Sequence, residues 1–353
     1  KRIIGIFDLD IPSQSRRTRE FLEQCEKEGQ VVPCDDLPKA FLLTDEYQLP
    51  KVYLTALNSQ TLAARFEKDS PVFKIMPEVK TVIGLGFRIL RGIYRGIEEG
   101  TTYFQYTSMA VENMDETVMP LCEMQVAMFL EENGFLAIPQ RKHQQIMAES
   151  DSTNPEVSYD AVVRNRPQEI QLDFLDTAIK CGLGEKGFHN ALLTDEFGPF
   201  VRYGFVLTDA VIEPTKEYEP HLCDNCKKCV SACHGGAVGD DGTVDAWRCS
   251  VYYNGANGTK NPFMPLSALS DFDDRLEIIA GSAKMDKEKA KKIINELIFY
   301  PPIREYQSSI CGRACDIACY VHLEEKGVLK KKFKSPFRKR EEWKFDIDDF
   351  KEK

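Results

Sequence analysis

Eight of the chain's twelve cysteines fall in one spacing pattern: Cys223-x2-Cys226-x2-Cys229-x3-Cys233, then Cys249, then Cys311-x3-Cys315-x3-Cys319. Two residues between successive cysteines let three thiolates converge on one cubane core, and in two-cluster ferredoxins the fourth cysteine of such a run serves the other cluster. The spacing therefore predicts two [4Fe–4S] sites, one on Cys223, Cys226, Cys229 and Cys319, the other on Cys233, Cys249, Cys311 and Cys315. Zinc needs only four ligands and commonly mixes in histidine, which leaves much of the set unexplained. Disulfides suit small exported chains, whereas this one has 353 residues and no apolar signal segment at its visible N-terminus. Cys25, Cys34, Cys122 and Cys181 stand among apolar or helical neighbours and read as ordinary thiols.

The length exceeds one small core and predicts two domains, the cysteine-rich one being the smaller because it starts only at Cys223. A net charge of −10 disfavours nucleic-acid binding by the body of the protein. No run approaches the roughly 18 apolar residues of a membrane span. A cytoplasmic location is expected, although Lys1 in place of Met leaves room for a removed export signal.

Organisation is readable along the chain. Lys1 to Leu9 is a strand-like run, and Ser13 to Glu28 carries Phe21, Leu22 and Cys25 at helical spacing. Residues 30–75, with four prolines, predict loops and short elements packed on the main domain. Lys80–Leu90, Phe135–Pro139 and Val201–Val211 predict strands; Met109–Asn133, stopped at Gly134, and Glu169–Lys180 predict helices. Gly182-x-Gly184-x2-Gly187 fits a dinucleotide fingerprint on spacing alone. That motif needs a strand ahead of its first glycine, and here a helix precedes it. Close approach to a bulky cofactor, or a tight helix-to-loop turn, is the better use of these glycines.

The stretch Gly182-Leu183-Gly184-Glu185, Gly187, Leu192-Leu193, Glu196-Phe197-Gly198-Pro199, Val201-Arg202 and Leu207-Thr208-Asp209, followed by the cysteine run, resembles the cobalamin-dependent reductive dehalogenases and the epoxyqueuosine reductases. The likeness covers roughly residues 76–322 and is strongest over 181–249. It implies an α+β chain: an N-terminal region 1–75 packing on the main domain, a nitroreductase-like α/β corrinoid-binding domain over 76–215, a bacterial-ferredoxin-like two-cluster domain over 216–325, and a charged tail over 326–353. Electrons from a ferredoxin or flavodoxin type donor are then expected to pass through both clusters to cobalt. The resemblance assigns cofactor contacts to Gly182, Leu183, Gly184, Gly187, Phe188, His189, Asn190, Leu192, Glu196, Phe197 and Gly198, with His189 at the corrinoid tail rather than on cobalt. Flavin is the alternative cofactor. Three departures stand out. His234 and Tyr320 occupy the positions after Cys233 and Cys319 where relatives carry proline, and Cys311 and Cys315 are three residues apart rather than two.

For a proton donor, Tyr106 is the first choice and Tyr103 the reserve, with Arg164 or Arg202 as the cation that lowers a tyrosine pKa; packing is the competing role. No clean counterpart of the relatives' catalytic aspartate motif precedes Gly182, the nearest polar residues being Asn165, Gln168 and Asp173. Lys330–Arg340 holds seven basic residues, read as a solvated arm or as a docking site for an acidic electron donor. Three functions compete: a dehalogenase-like reductase of a small organic substrate, a redox adaptor with flavin or no cofactor, and an epoxyqueuosine reductase-like enzyme acting on tRNA.

Overall fold

A computed structural model describes residues 2–8, 23–28, 31–32, 40–46, 49–55, 66, 70–102, 105–140, 170–213, 215–298 and 311–351. Its architecture mixes helix and sheet. The central sheet has three antiparallel strands in the order Thr81–Arg88, Val201–Thr208, Ala137–Gln140. Thr208 pairs with Thr81 on one side and Ala137 on the other, so the middle strand is covered on both edges. Its last five residues, Gly204 to Thr208, are all buried, which is why this stretch reads as a continuous apolar run. The helix Met119–Glu132 packs on one face. Gly204 makes that packing close, since an added Cβ would fall 1.7 Å from a carboxylate oxygen of Glu123.

Among the described residues of 30–75, the expected short elements include strands. Ala40–Glu46 and Leu49–Thr55 form an antiparallel pair in a second, four-stranded sheet that also holds Arg2–Asp8 and Val31–Val32. Prolines had argued against long strands there, but Pro50 sits next to the strand's start, where a missing N–H is tolerated. The predicted helix from Met109 begins earlier and is not uniform: Tyr106–Glu112 and Met114–Val118 are wound as π-helix before the regular α-helix begins, and Gly134 stops it at φ 85°.

One apolar core draws on all three expected segments beyond residue 75. Tyr94, Phe200 and Tyr320 stack in a row, with ring centroids 4.0 and 4.2 Å apart, and Phe337 closes against Tyr320 at 5.6 Å. A second core lies in the long span between Cys249 and Cys311. It is built from the helices Ala246–Tyr253, Arg275–Ala280 and Lys287–Ile298 and is capped by Phe350.

The C-terminal segment is therefore a strap rather than a solvated arm. Phe337 is 0% and Phe350 5% exposed. Arg338 pairs with buried Glu98, the Trp343 indole donates to the Ile97 carbonyl at 3.0 Å, and the Phe345 amide donates to the Thr259 carbonyl. Its basic residues stay on the outer face, which is the pattern that made it look free. No helix among the described residues is long and apolar enough to cross a membrane.

Candidate redox site

Cys223, Cys226, Cys229 and Cys319 line one cavity, together with Phe188, His189 and Leu222. Asn225 and Lys227 adopt left-handed φ of 57° and 58°, which coils the first three cysteines around this space. Cys319 arrives on the helix Ala314–Lys326. Burial, with Cys226 and Cys223 adding, pushes the Cys229 thiol up to about 11. The remaining four form a separate group. Burial carries Cys311 up to about 12, with Cys249 and Cys233 adding to the rise, and Cys315 is raised by burial and, in part, by Cys311 and Cys233. No thiol of one set acts on a thiol of the other in these shifts. Thiols so raised stay protonated until a cation displaces the proton, so ligation releases protons and tightens with rising pH.

The additional residue between Cys311 and Cys315 is absorbed by two consecutive left-handed residues, Gly312 at φ 55° and Arg313 at φ 54°. A non-glycine residue there costs on the order of 1–2 kcal/mol. Two hydrogen bonds from Arg313 to Asp316, at 2.8 and 3.1 Å, offset it. Asp316 also meets His189 Nε2 at 2.9 Å, and its carboxyl sits at about 2: burial would raise it, but Arg313 and His189 hold it down. His189 is thus a buried link between the two cysteine groups, and it lines the first cavity. The backbone N–H of Ala237 donates to the Cys233 sulfur at 3.2 Å.

A second, polar cavity shares a wall with the Cys311–Cys315 turn. Arg313 and Asp316 line it from that side, Asn190, Leu192, Arg202 and Tyr203 from the sheet side, and Asp115 and Met119 from the π-wound helix. Arg202 Nε lies 3.5 Å from Asp115, and its buried Nη2 has no hydrogen-bond partner. The cavity encloses about 80 Å³, enough for a small substrate group.

The motif glycines pack closely on protein. A Cβ at Gly184 would come within 2.0 Å of the Leu193 carbonyl oxygen, one at Gly182 within 2.9 Å of the Lys216 carbonyl, and those at Gly187 and Gly198 within 3.2 and 3.1 Å of leucine side chains. These positions close on protein. Leu183 and Phe197 pack against the cores, Phe188 faces the first cavity, and Glu196 is exposed. Asp115, Arg313 and Asp316 were not singled out from sequence, where the hint was the Arg–Asp pair flanking Cys315; Glu185 entered only as part of the glycine motif.

Tyr106 does not line the polar cavity. It is 0% exposed, its ring lies 4.9 Å from that of Tyr94, and its hydroxyl has no hydrogen-bond partner. Burial drives its pKa well above the usual value, with Tyr94 and Tyr253 adding; Arg202 and Arg313 oppose without prevailing. A buried hydroxyl left unpaired is a cost that phenylalanine removes. Tyr106→Phe is therefore expected to leave stability unchanged or raise it by up to about 1 kcal/mol in denaturant unfolding. A loss above that value would show that the hydroxyl has a partner. Tyr103, Arg164, Asn165 and Gln168 lie outside the described residues, while Asp173 caps the helix Phe174–Lys180 by accepting from the Asp176 N–H.

No protein-family profile matches the chain. Curated relatives include an epoxyqueuosine reductase of Prochlorococcus marinus, 32% identical over 82 residues, covering 23% of this chain and 26% of the relative. One of Vibrio cholerae is 32% identical over 123 residues, covering 28% and 33%, and one of Escherichia coli is 37% identical over 75 residues, covering 21% and 20%. The matched stretch thus spans a third or less of each relative. Among solved structures, a selenomethionine-labelled epoxyqueuosine reductase aligns over 92% of this chain and 79% of its own at 12% identity, with a TM-score of 0.34. An epoxyqueuosine reductase with a tRNA stem loop aligns over 93% and 80% at 13%, with a TM-score of 0.31.

Proposed function

We propose that the chain is an iron–sulfur oxidoreductase of the epoxyqueuosine reductase kind. The observation that carries this reading is the shared wall: Arg313 and Asp316 belong at once to the turn that holds Cys311 and Cys315 and to the polar cavity. Two [4Fe–4S] clusters on the two cysteine groups supply single electrons. A ferredoxin or flavodoxin type donor would deliver them at the first group, whose Cys226 is exposed, since the second group, although its Cys249 is exposed too, is the one whose Cys311–Cys315 turn borders the polar cavity. In the cavity, Arg202 and Arg313 are placed to hold an oxygen that gains negative charge. Two electrons and two protons convert an epoxide to an alkene and water, and fixed guanidinium groups contribute most where that charge develops. A corrinoid at the cavity mouth, next to Asn190, Leu192 and Tyr203, would supply a nucleophilic, strongly reducing cobalt.

The names of the relatives favour this reading over the dehalogenase one. A tRNA-borne substrate is the corresponding class, and the exposed basic face of the strap supports it. The test is anaerobic reconstitution with iron, sulfide and hydroxocobalamin, followed by turnover of epoxyqueuosine-containing tRNA under reductant. Arg202→Gln is expected to lower turnover on the order of 10²-fold with iron content unchanged. A loaded chain that passes electrons to dyes yet turns over no substrate is a redox adaptor, and this reading then fails.

A further inference from the structure

Glu185 sits in the middle of the glycine run, 4% exposed, on a two-residue strand whose partner residue is Leu193. Gly184 brings the backbone hard against that same Leu193, which fixes the direction in which the Glu185 side chain leaves. The carboxylate accepts from three consecutive backbone N–H groups: His221 and Leu222 on Oε2, the latter at 3.0 Å, and Cys223 on Oε1 at 2.6 Å. Successive amides pointing into one concavity form an anion site, and here the chain fills it with its own side chain. Leu222 between them is 0% exposed, so the segment cannot turn away without uncovering the core.

We infer that Glu185 is a positioning residue for Cys223 and the fixed negative charge that holds the first cluster at low potential. The inference rests on the two-cluster reading. Cys223 is the one cysteine of its set that precedes the left-handed turns of the loop, so its placement opposite Cys319, some hundred residues on, needs an anchor from outside the loop. Glu185 is that anchor. Its charge has an electrostatic consequence as well: reduction adds an electron to the cluster, and a neighbouring buried carboxylate opposes it. The Cys223 N–H, occupied by the carboxylate, is not available to a cluster sulfur, which works in the same direction.

The experiment is an anaerobic redox titration followed by electron paramagnetic resonance, with iron counted in parallel. Wild-type iron near eight per chain decides the cluster reading, independently of Glu185. With Glu185→Gln, which keeps the shape but loses the charge, the first cluster is expected to show a reduced-to-oxidised ratio about tenfold higher at a given poise, equivalent to 59 mV for one electron, while the second is unmoved. Equal potentials in variant and wild type overturn the electrostatic role. Should that variant not be recovered, Glu185→Asp keeps the charge and withdraws it by one methylene. Iron falling toward four, with the second cluster's signal intact, supports the anchor; full iron and an unchanged spectrum overturn it.

Discussion

Cys319→Ser is expected to take iron from about eight to about four per chain, and Cys315→Ser to do the same at the other cluster. The two residues lie one turn apart on the helix Ala314–Lys326, so their side chains share a face. Cys319 looks to the cavity of Cys223, Cys226 and Cys229, and Cys315 to Cys311 and Cys233. Serine is close in size to cysteine, but its hydroxyl is a poor ligand for a cubane iron, so the chain should fold with one cluster in place. Spectroscopy separates the outcomes: the signal surviving in one variant should be the signal missing from the other. The same surviving signal in both would mean that the partition of the cysteines is wrong.

Phe337→Ala is expected to cost about 3–5 kcal/mol, the range for truncating a fully buried aromatic ring. The ring is 0% exposed, meets Tyr320 and Phe200, and its N–H donates to Glu324 at 2.7 Å. Denaturant unfolding measures the loss, with Lys331→Ala as the surface control expected within about 0.5 kcal/mol. A cost below about 1 kcal/mol would mean that the strap is not part of the core. Acid should loosen the strap too. Glu342 has its carboxyl at about 2, because His234 and Lys260 outweigh the burial that would raise it. A carboxyl lowered in the folded state stabilises fully above its unfolded value, and that contribution fades as pH falls toward about 2.

Local signals carried the central sheet. Val82 and Ile83 ahead of Gly84 and Gly86 marked the strand Thr81–Arg88, and Val201–Thr208 announced itself as an apolar run because both of its edges are paired. Cys223, Cys226 and Cys229 stand close together in sequence, and Cys319, 96 residues from the first of them, lines the same cavity. The strap was illegible for the opposite reason. Phe337, Trp343, Phe345 and Phe350 follow neither a helical nor a strand period and stand among charges, so each anchor docks separately and leaves no pattern. Glu185 was visible as part of the glycine motif, but its partners were not, because backbone amides have no sequence signature. Tyr106 misled because its proximity in sequence to the cavity-lining helix does not fix which way its ring turns.

The two positions at which the cysteine run departs from proline are also points at which the strap is fastened. His234 Nε2 lies 3.1 Å from Glu342, and the Tyr320 ring packs on Phe337. Arg338 and Glu342 of the strap, with His234, also line the space beside Cys311. The strap thus touches the neighbours of one cysteine from each group, Cys233 through His234 and Cys319 through Tyr320, so the C-terminal segment is tied to the geometry of both cysteine groups.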